Sequence, residues 1–213
     1  MTQLYLIRHG EAFVNVEPII GGMQGDKGLT PRGVAQAERL RDRLAMGEIK
    51  ADLLLASPLP RARQTAEIIA PALHLPISWD AEVQEIGVGE ADGMTADEAW
   101  SKYGQPNFVD SPFLPIAPGG EDWGQFTLRV GRALDRISRQ HEGKTIVIVC
   151  HGGFIDGSFQ YFLSLPTISP FCQRYEFYPL NTSITHWEKV SRRGHLRWQL
   201  ISYNDAHHLL ENK

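Results

Sequence analysis

Residues 4–11 of the chain read LYLIRHGE, and residues 146–153 read IVIVCHGG. Each stretch is a short apolar run, typical of a strand buried in a sheet, that passes directly into a histidine and a glycine. In a mostly parallel sheet, the side chains that follow the carboxyl ends of neighbouring strands meet in the crevice where ligands bind. We therefore expect His9 and His151 to converge on one ligand.

Helix-like and strand-like segments alternate along the rest of the chain. Apolar residues recur at helical spacing in residues 30–47, where Thr30 is the predicted cap and Val34 belongs to the apolar face. The predicted elements after the first strand are, in order, helices at 30–47, 58–73, 121–143 and from 152, and strands at 52–57, 145–150, 182–187 and 196–203. This alternation predicts an α/β fold with a mostly parallel central sheet.

Length and composition limit the classes of protein to which the chain can belong. Its 213 residues predict one domain, 1–213, and 42% hydrophobic with 22% charged residues predict a soluble globular protein. A formal charge of −4 gives no overall positive field, so we expect neither nucleic acid nor a membrane as a partner. The absence of signal-peptide and membrane-span patterns predicts a cytoplasmic protein. Cys150 and Cys172 show no metal-binding spacing, and we expect free thiols.

Residues 80–120 differ in composition from the rest of the chain. Glycines and prolines are frequent there, and Thr95 with Glu98 forms a capping-box pattern for one short helix. Long irregular segments in compact domains are usually functional. We therefore predict a cap-like insertion over the sheet, at roughly residues 86–124.

Phosphate is the ligand that these strand ends predict. Gly152 opens a predicted helix whose first N–H groups can bind an anion, and Arg8 and Arg61 offer guanidinium groups suited to phosphate oxygens. Arg63 also follows the second predicted strand, but its helical spacing from Arg61 directs it elsewhere. Taken singly, each histidine is better explained as a core residue and each arginine as a solvated strand end. The agreement of three strand ends favours the phosphate site.

Six sequence elements resemble, in their order, those of the histidine phosphatase superfamily, which includes the cofactor-dependent phosphoglycerate mutases. They are RHGEAFVN at 8–15, LTPRG at 29–33, SPLPRARQTA at 57–66, QEIGVGEADG at 84–93, PGGE at 118–121 and VIVCHGG at 147–153. The HGG form, and the lack of R-x-P after the first histidine, resemble the mutase-like branch. The resemblance covers nearly the whole chain and implies a three-layer α/β/α sandwich with a mostly parallel sheet.

The resemblance implies a role for each matched residue. His9 is the implied nucleophile that becomes phosphohistidine, and Glu85 is the implied proton donor, with Glu82 and Glu90 as alternatives. The implied phosphate-binding residues are Arg8, Asn15, Arg61, His151 and Gly152, of which Arg8, Arg61 and His151 are also in the catalytic set. Gln24, in the glycine-rich loop, is an implied substrate contact, although a plain surface glutamine explains it about as well.

The chemistry of these roles predicts protonation states. An attacking imidazole must be neutral at its reacting nitrogen, and arginine neighbours disfavour the protonated form of His9. His151, which faces the phosphoryl dianion, is expected to be a cation. Positive groups around the transferring phosphoryl stabilise both displacements of a covalent mechanism, so we expect no metal and no cofactor.

Hydrolysis of small phosphate esters is the function that the resemblance best supports. The glycolytic mutases carry a Glu-Arg-His-Tyr-Gly element and a basic insertion, whereas this chain has EIG at 85–87 and Lys102 as its only lysine or arginine between residues 64 and 128. A phosphoglycerate mutase is the alternative, a non-catalytic phosphoryl-binding module is a third interpretation, and a homodimer is left open. His207 and His208 resemble a metal pair without a third ligand, so we expect a solvated tail.

Overall fold

Strands and helices alternate through most of the described chain, which comprises residues 1–108, 110–165 and 177–210 of the computed structural model. The strands are β1 (Thr2–Arg8), β2 (Leu53–Ala56), β3 (Ile77–Trp79), β4 (Thr145–Cys150), β5 (Ile184–Arg192) and β6 (His195–Asp205). The helices are α1 (Phe13–Val16), α2 (Pro31–Ala45), α3 (Pro60–Leu73), α4 (Ala96–Tyr103), α5 (Trp123–Gln140) and α6 (Gly152–Phe162). Short 3₁₀ helices cover Ala81–Val83, Gly89–Ala91 and His207–Leu209.

The strands form one sheet in the order β3-β2-β4-β1-β5-β6. β3, β2, β4 and β1 are mutually parallel, whereas β5 and β6 add antiparallel strands at one side. The prediction of a mostly parallel central sheet is confirmed. The order also makes β2, β4 and β1 neighbours, so their carboxyl ends lie side by side.

Both faces of the sheet are covered by helices. Ile146 and Ile148 of β4 point to one face, where they join Phe126 and other buried residues of α5 and α6. The alternate residues of β4, Val147 and Val149, point to the other face and join the buried residues of α2 and α3. Each fully buried side chain of this kind contributes about 1.5–3 kcal/mol relative to exposure. The resulting three-layer α/β/α sandwich agrees with the sequence prediction.

The details of α2 and α5 agree with the sequence patterns in one respect and differ in two. The hydroxyl of Thr30 accepts the N–H of Gly33 at 3.0 Å, so the predicted cap of α2 is confirmed. The placement of Val34 on the apolar face is wrong, because the residue is 37% exposed. α5 ends at Gln140 rather than at Gly143, whose φ of +80° places it in the following turn.

The last two strands are longer than predicted and leave a turn of only two residues. Arg193 and Gly194 have φ values of +52° and +77°. Positive φ at both central positions matches the right-handed twist of a hairpin, so β5 and β6 pair up to the turn.

The segment between β3 and α5 contains α4 and otherwise irregular chain. Thr95 and Glu98 form the predicted capping box, with the Glu98 N–H donating to the Thr95 hydroxyl at 3.2 Å. Small buried residues, Ala91, Ala99 and Ala117, give this segment a core of its own. Its action as a cap stays a prediction, and Val109 lies outside the described residues.

The remaining sequence expectations concern thiols and membranes. Cys150 is a buried free thiol whose pKa is raised by burial, while Cys172 lies outside the described residues. None of the helices in the described ranges combines the length and the apolar character that crossing a bilayer requires.

Candidate active site

The residues that follow β1, β4 and β2 lie side by side at one edge of the sheet. The backbone N–H of His9 donates to the Cys150 carbonyl at 3.0 Å, and that of Ser57 donates to the Val149 carbonyl at 3.0 Å. These bonds extend the parallel ladders by one residue and hold both residues beside His151. The ring centroids of His9 and His151 are 5.2 Å apart, so the structure brings the two imidazoles into one site.

His9 is buried and held as a neutral imidazole with a defined tautomer. Its Nδ1 lies 2.7 Å from the Gly10 carbonyl oxygen, which can only accept, so Nδ1 carries the proton. Nε2 then keeps its lone pair and accepts the Nε–H of Arg61 at 3.1 Å. Burial, followed by the charges of Arg61 and Arg8, places the pKa of His9 well below its usual value of 6.5. The neutral imidazole expected at His9 is therefore favoured, with burial as the larger cause.

His151 is also buried and lies in a desolvated position. Its Nε2 lies 2.7 Å from the Ser57 hydroxyl, and its Nδ1 has no hydrogen-bond partner among the described residues. Burial, then the charges of Arg61 and other neighbours, lowers its pKa well below 6.5. These effects favour a neutral ring in the protein alone, whereas the predicted cation requires a phosphoryl dianion facing the ring and stays a prediction.

Arg61 lies in the first turn of α3 and is fixed by a buried carboxylate. Its Nη1 donates to Oδ2 of Asp26 at 2.8 Å, and the same oxygen accepts the Arg61 backbone N–H at 3.1 Å. The Asp26 side chain is fully buried. Arg63 instead pairs with Glu67 at the surface, as its spacing predicted.

Arg8, at the end of β1, is held by the segment that precedes β5. Its Nη1 donates to the Pro179 carbonyl at 2.6 Å, and its guanidinium carbon is 4.7 Å from the centre of the Tyr178 ring. Its Nε is buried without a partner among the described residues, and a Cβ built on Gly152 would lie 3.6 Å from it. Arg8 Nε and His151 Nδ1 are thus buried polar atoms that an anion at this edge could satisfy.

Glu85 reaches the same edge at the N-terminus of α6. Its Oε2 accepts the Gly153 backbone N–H at 3.0 Å. A Cβ on Gly153 would overlap the Glu85 carboxylate, so glycine is required there for this approach. The alternative donors are directed elsewhere, since Glu82 faces Arg132 and Glu90 accepts from the Tyr103 hydroxyl.

Gly10, the glycine that follows His9, is required by close packing within the protein. A Cβ on Gly10 would lie 2.5 Å from the Gly33 carbonyl oxygen, at the start of α2. The Gly10 N–H also donates to the hydroxyl of Thr65 at 3.0 Å. The loop after β1 is therefore held closely between α2 and α3, with His9 at its start.

Asn15 and Gln24 are exposed, and their described hydrogen bonds are to other residues of the protein. Oδ1 of Asn15 accepts the Ala12 N–H at 3.0 Å, which caps α1. The backbone N–H of Gln24 donates to Asp92 at 2.8 Å. A phosphate contact by Asn15 and a substrate contact by Gln24 stay predictions.

The C-terminal histidines do not form the solvated tail that was expected. His208 is half-buried, with Nε2 at 3.0 Å from the Thr182 hydroxyl and Nδ1 at 3.4 Å from Arg43. Burial, then Arg43, lowers its pKa to about 4. His207 is exposed and lies 2.8 Å from Asp205. Across the described ranges, no three His, Cys, Asp or Glu side chains converge as metal ligands would.

Two residues of this site were missed in the sequence. Ser57 carried a usable signal, because it follows β2 as each histidine follows its own strand. Asp26 carried a weaker one, as the only acidic residue of the glycine-rich loop IIGGMQGDKG at 19–28. The hydrogen bonds that link Asp26 to Arg61 and Ser57 to His151 join residues more than 30 positions apart, so local patterns could not assign them.

Comparisons with known proteins agree with this geometry. Residues 4–205 match the histidine phosphatase superfamily, branch 1. The chain is 33% identical over 172 residues to a probable phosphoglycerate mutase, GpmB, of Erwinia tasmaniensis, which covers 78% of this chain and 77% of the relative. It resembles the solved structure of Bacillus stearothermophilus YhfR with a TM-score of 0.79, at 31% identity and covering 98% of this chain and 99% of that one.

A second solved structure is that of a phosphoserine phosphatase from Entamoeba histolytica in complex with phosphoserine. The TM-score is 0.76 at 29% identity, and the match covers 99% of this chain and 100% of that one. With the family match extending over nearly the whole chain, these similarities identify the fold as phosphoglycerate mutase-like. The chain is an enzyme of the histidine phosphatase superfamily.

Proposed function

We propose that the chain is a metal-independent phosphomonoesterase that hydrolyses small phosphate esters through a phosphohistidine on Nε2 of His9. The observation that carries the proposal is the state of this nitrogen. It keeps its lone pair because Nδ1 is tied to the Gly10 carbonyl, and it lies 3.1 Å from Nε of Arg61. A nucleophile and its phosphate-binding cation are thus in place before substrate binds.

The first displacement transfers the phosphoryl group to the enzyme. The lone pair of His9 Nε2 attacks phosphorus, the bond from phosphorus to the ester oxygen breaks, and Glu85 donates its proton to the leaving oxygen. Arg8, Arg61 and His151 surround the transferring group, and preorganised donors at such a position stabilise the charge of the transition state.

The second displacement restores the enzyme. Glu85, now a carboxylate, takes a proton from water, and the water oxygen attacks the phosphorus. The bond between phosphorus and Nε2 breaks, its electron pair returns to His9, and inorganic phosphate leaves. The same carboxyl group thus acts as acid and then as base.

Hydrolysis is favoured over mutase activity because Arg129 and Lys102 already contact other groups of the protein. A mutase must also hold a second phosphoryl group. Among the described residues, Arg129 is bonded to Glu121 and backbone carbonyls, and Lys102 lies over the Tyr103 ring. The names of relatives include both activities, a probable phosphoglycerate mutase and a phosphoserine phosphatase.

The test uses single turnover with a phosphate ester labelled with ³²P. Wild-type protein should form an acid-labile labelled intermediate and release phosphate, and a chelator should leave the rate unchanged. The variant His9→Ala should lose at least about 10³-fold in turnover, while His195→Ala, at an exposed hairpin position, should behave as wild type.

Two results would overturn the proposal. One is turnover of His9→Ala at the wild-type rate, and the other is abolition of wild-type activity by the chelator. The mutase alternative is tested separately, by adding 2,3-bisphosphoglycerate and comparing interconversion of the monophosphoglycerates with their hydrolysis. Interconversion faster than hydrolysis would establish the mutase.

A further inference from the structure

Glu85 lies in irregular chain, and its placement depends on side chains from elsewhere. It follows the 3₁₀ helix Ala81–Val83 and belongs to no strand or helix. An acid that must protonate a leaving oxygen has to be held within hydrogen-bond reach of that atom. A loop gives such precision only where its backbone is bonded to a rigid element.

Arg129, in the middle of α5, supplies those bonds. Its Nη1 donates to the Glu82 and Gln84 carbonyls at 2.8 and 3.1 Å, and its Nη2 donates to the Glu85 carbonyl at 3.0 Å. Three carbonyls within residues 82–85 thus converge on a single guanidinium group. α5 is an 18-residue helix packed on the sheet, so it is a rigid support.

Glu121 completes this arrangement from the other side. Nε and Nη2 of Arg129 donate to its two carboxylate oxygens at 2.7 and 2.6 Å. The same carboxylate accepts the Gly87 N–H at 2.8 Å, and the Glu121 N–H donates to the Gly87 carbonyl at 2.8 Å. Burial acts to raise the pKa of Glu121, but Arg129 and the Gly87 N–H outweigh it and lower the pKa, so the carboxylate is charged.

All the donors of Arg129 are used in these bonds. A guanidinium group has about five N–H donors, and the five bonds described here account for them. Arg129 therefore has no donor left for a phosphoryl oxygen. Lysine could not reproduce the arrangement, because an ammonium group has only about three donors and no planar fork.

We propose that Arg129 and Glu121 are positioning residues that hold the Glu85 carboxyl at the N-terminus of α6 for proton transfer. This inference rests on the proposed function, in which Glu85 protonates the leaving oxygen. Loss of the pair should therefore impair the transfer of the proton more than the attack by His9. The size of the defect should depend on how much the leaving group needs that proton.

The experiment compares two esters with the same phosphoryl group. The leaving group of 4-nitrophenyl phosphate is stable as an anion. The departure of the leaving group of phenyl phosphate depends more strongly on its protonation. Single-turnover rates of His9 phosphorylation are measured for wild type, Glu85→Gln, Arg129→Lys and Glu121→Gln. Arg139→Lys, which alters an exposed i,i+4 pair on the same helix, is the matched control.

Glu85→Gln should lose about 10²-fold or more on phenyl phosphate and clearly less on 4-nitrophenyl phosphate. Arg129→Lys and Glu121→Gln should show the same bias, and adding either to Glu85→Gln should cause little further loss, because both act through Glu85. Glu121→Gln provides the second variant if Arg129→Lys does not fold.

Equal losses on both esters, or losses that multiply with that of Glu85→Gln, would indicate a purely structural role and overturn the inference. Wild-type rates in both Arg129→Lys and Glu121→Gln would overturn the inference as well. Equal losses for Glu85→Gln itself would remove Glu85 as the acid and the inference with it, while leaving phosphohistidine formation intact. Absence of a phosphohistidine in wild type would instead refute the proposed function.

Discussion

Nε of Arg61 donates to Nε2 of His9 at 3.1 Å, and the Nη1 of the same guanidinium group donates to Asp26 at 2.8 Å. The buried carboxylate therefore sets the direction from which Arg61 approaches the nucleophile. It also offsets the cost of burying the Arg61 charge, since an unpaired buried charge is strongly destabilising.

The first prediction concerns the variant Asp26→Asn. It removes the negative charge but nearly preserves the shape of the side chain, so Arg61 stays buried without its counter-ion. We expect the free energy of unfolding to fall by about 3 kcal/mol. Urea unfolding at neutral pH measures this change.

Asp42→Asn is the matched control for Asp26→Asn. Asp42 pairs with Arg41 at the surface, with 69% of its side chain exposed. Its replacement should change stability by less than about 0.5 kcal/mol. Equal effects of the two variants would show that the Arg61–Asp26 pair does not carry a buried charge.

The second prediction concerns the contact between Ser57 and His151. Ser57→Ala leaves Nε2 of the buried imidazole without its partner at 2.7 Å. An unsatisfied buried polar group costs about 1–3 kcal/mol, so stability should fall by that amount. Turnover should fall as well, because the ring loses the bond that orients it.

Ser158→Ala gives the comparison for Ser57→Ala. Ser158 is equally buried, but its hydroxyl donates to the Ile155 carbonyl at 2.6 Å within α6. Its loss leaves no side-chain donor or acceptor unpaired, so we expect a smaller change in stability and wild-type turnover of 4-nitrophenyl phosphate. Indistinguishable behaviour of the two variants would contradict a specific role for Ser57.

The third prediction is a dependence of stability on pH. The pKa values of His9 and His151 are lowered in the folded protein, whereas in the unfolded chain they return to about 6.5. Below that pH the unfolded chain binds more protons, so stability falls as pH falls. Each histidine should contribute a slope approaching about 1.4 kcal/mol per pH unit.

Urea unfolding of wild type and of His9→Asn/His151→Asn between about pH 5 and 7.5 isolates this contribution. The free energy of unfolding of wild type minus that of the variant should be constant above the unfolded pKa. It should decrease below that pKa, because only wild type loses stability through these groups. Parallel curves over the whole range would mean that the two histidines are not held neutral. The acid limb of kcat/KM should likewise lie below the usual range for a histidine.

Much of the fold could be predicted because its signals are local. The apolar runs of β1, β2 and β4 and the helical spacing in α2 and α5 follow from the periods of side-chain direction in strands and helices. The errors occurred at Val34, whose exposure depends on what packs against α2, and at Gly143, because α5 already ends at Gln140.

The site divides in the same way. The sequence by itself determined which strand ends carry His9 and His151, since a polar residue directly after a buried run is visible without any tertiary information. Only the tertiary structure decided that β4 lies between β1 and β2, which places Ser57 against His151. It alone also paired Arg61 with Asp26 and Arg129 with Glu121. The neutral state of His151 depended on it as well, because desolvation is set by everything that surrounds the ring, whatever its distance along the chain.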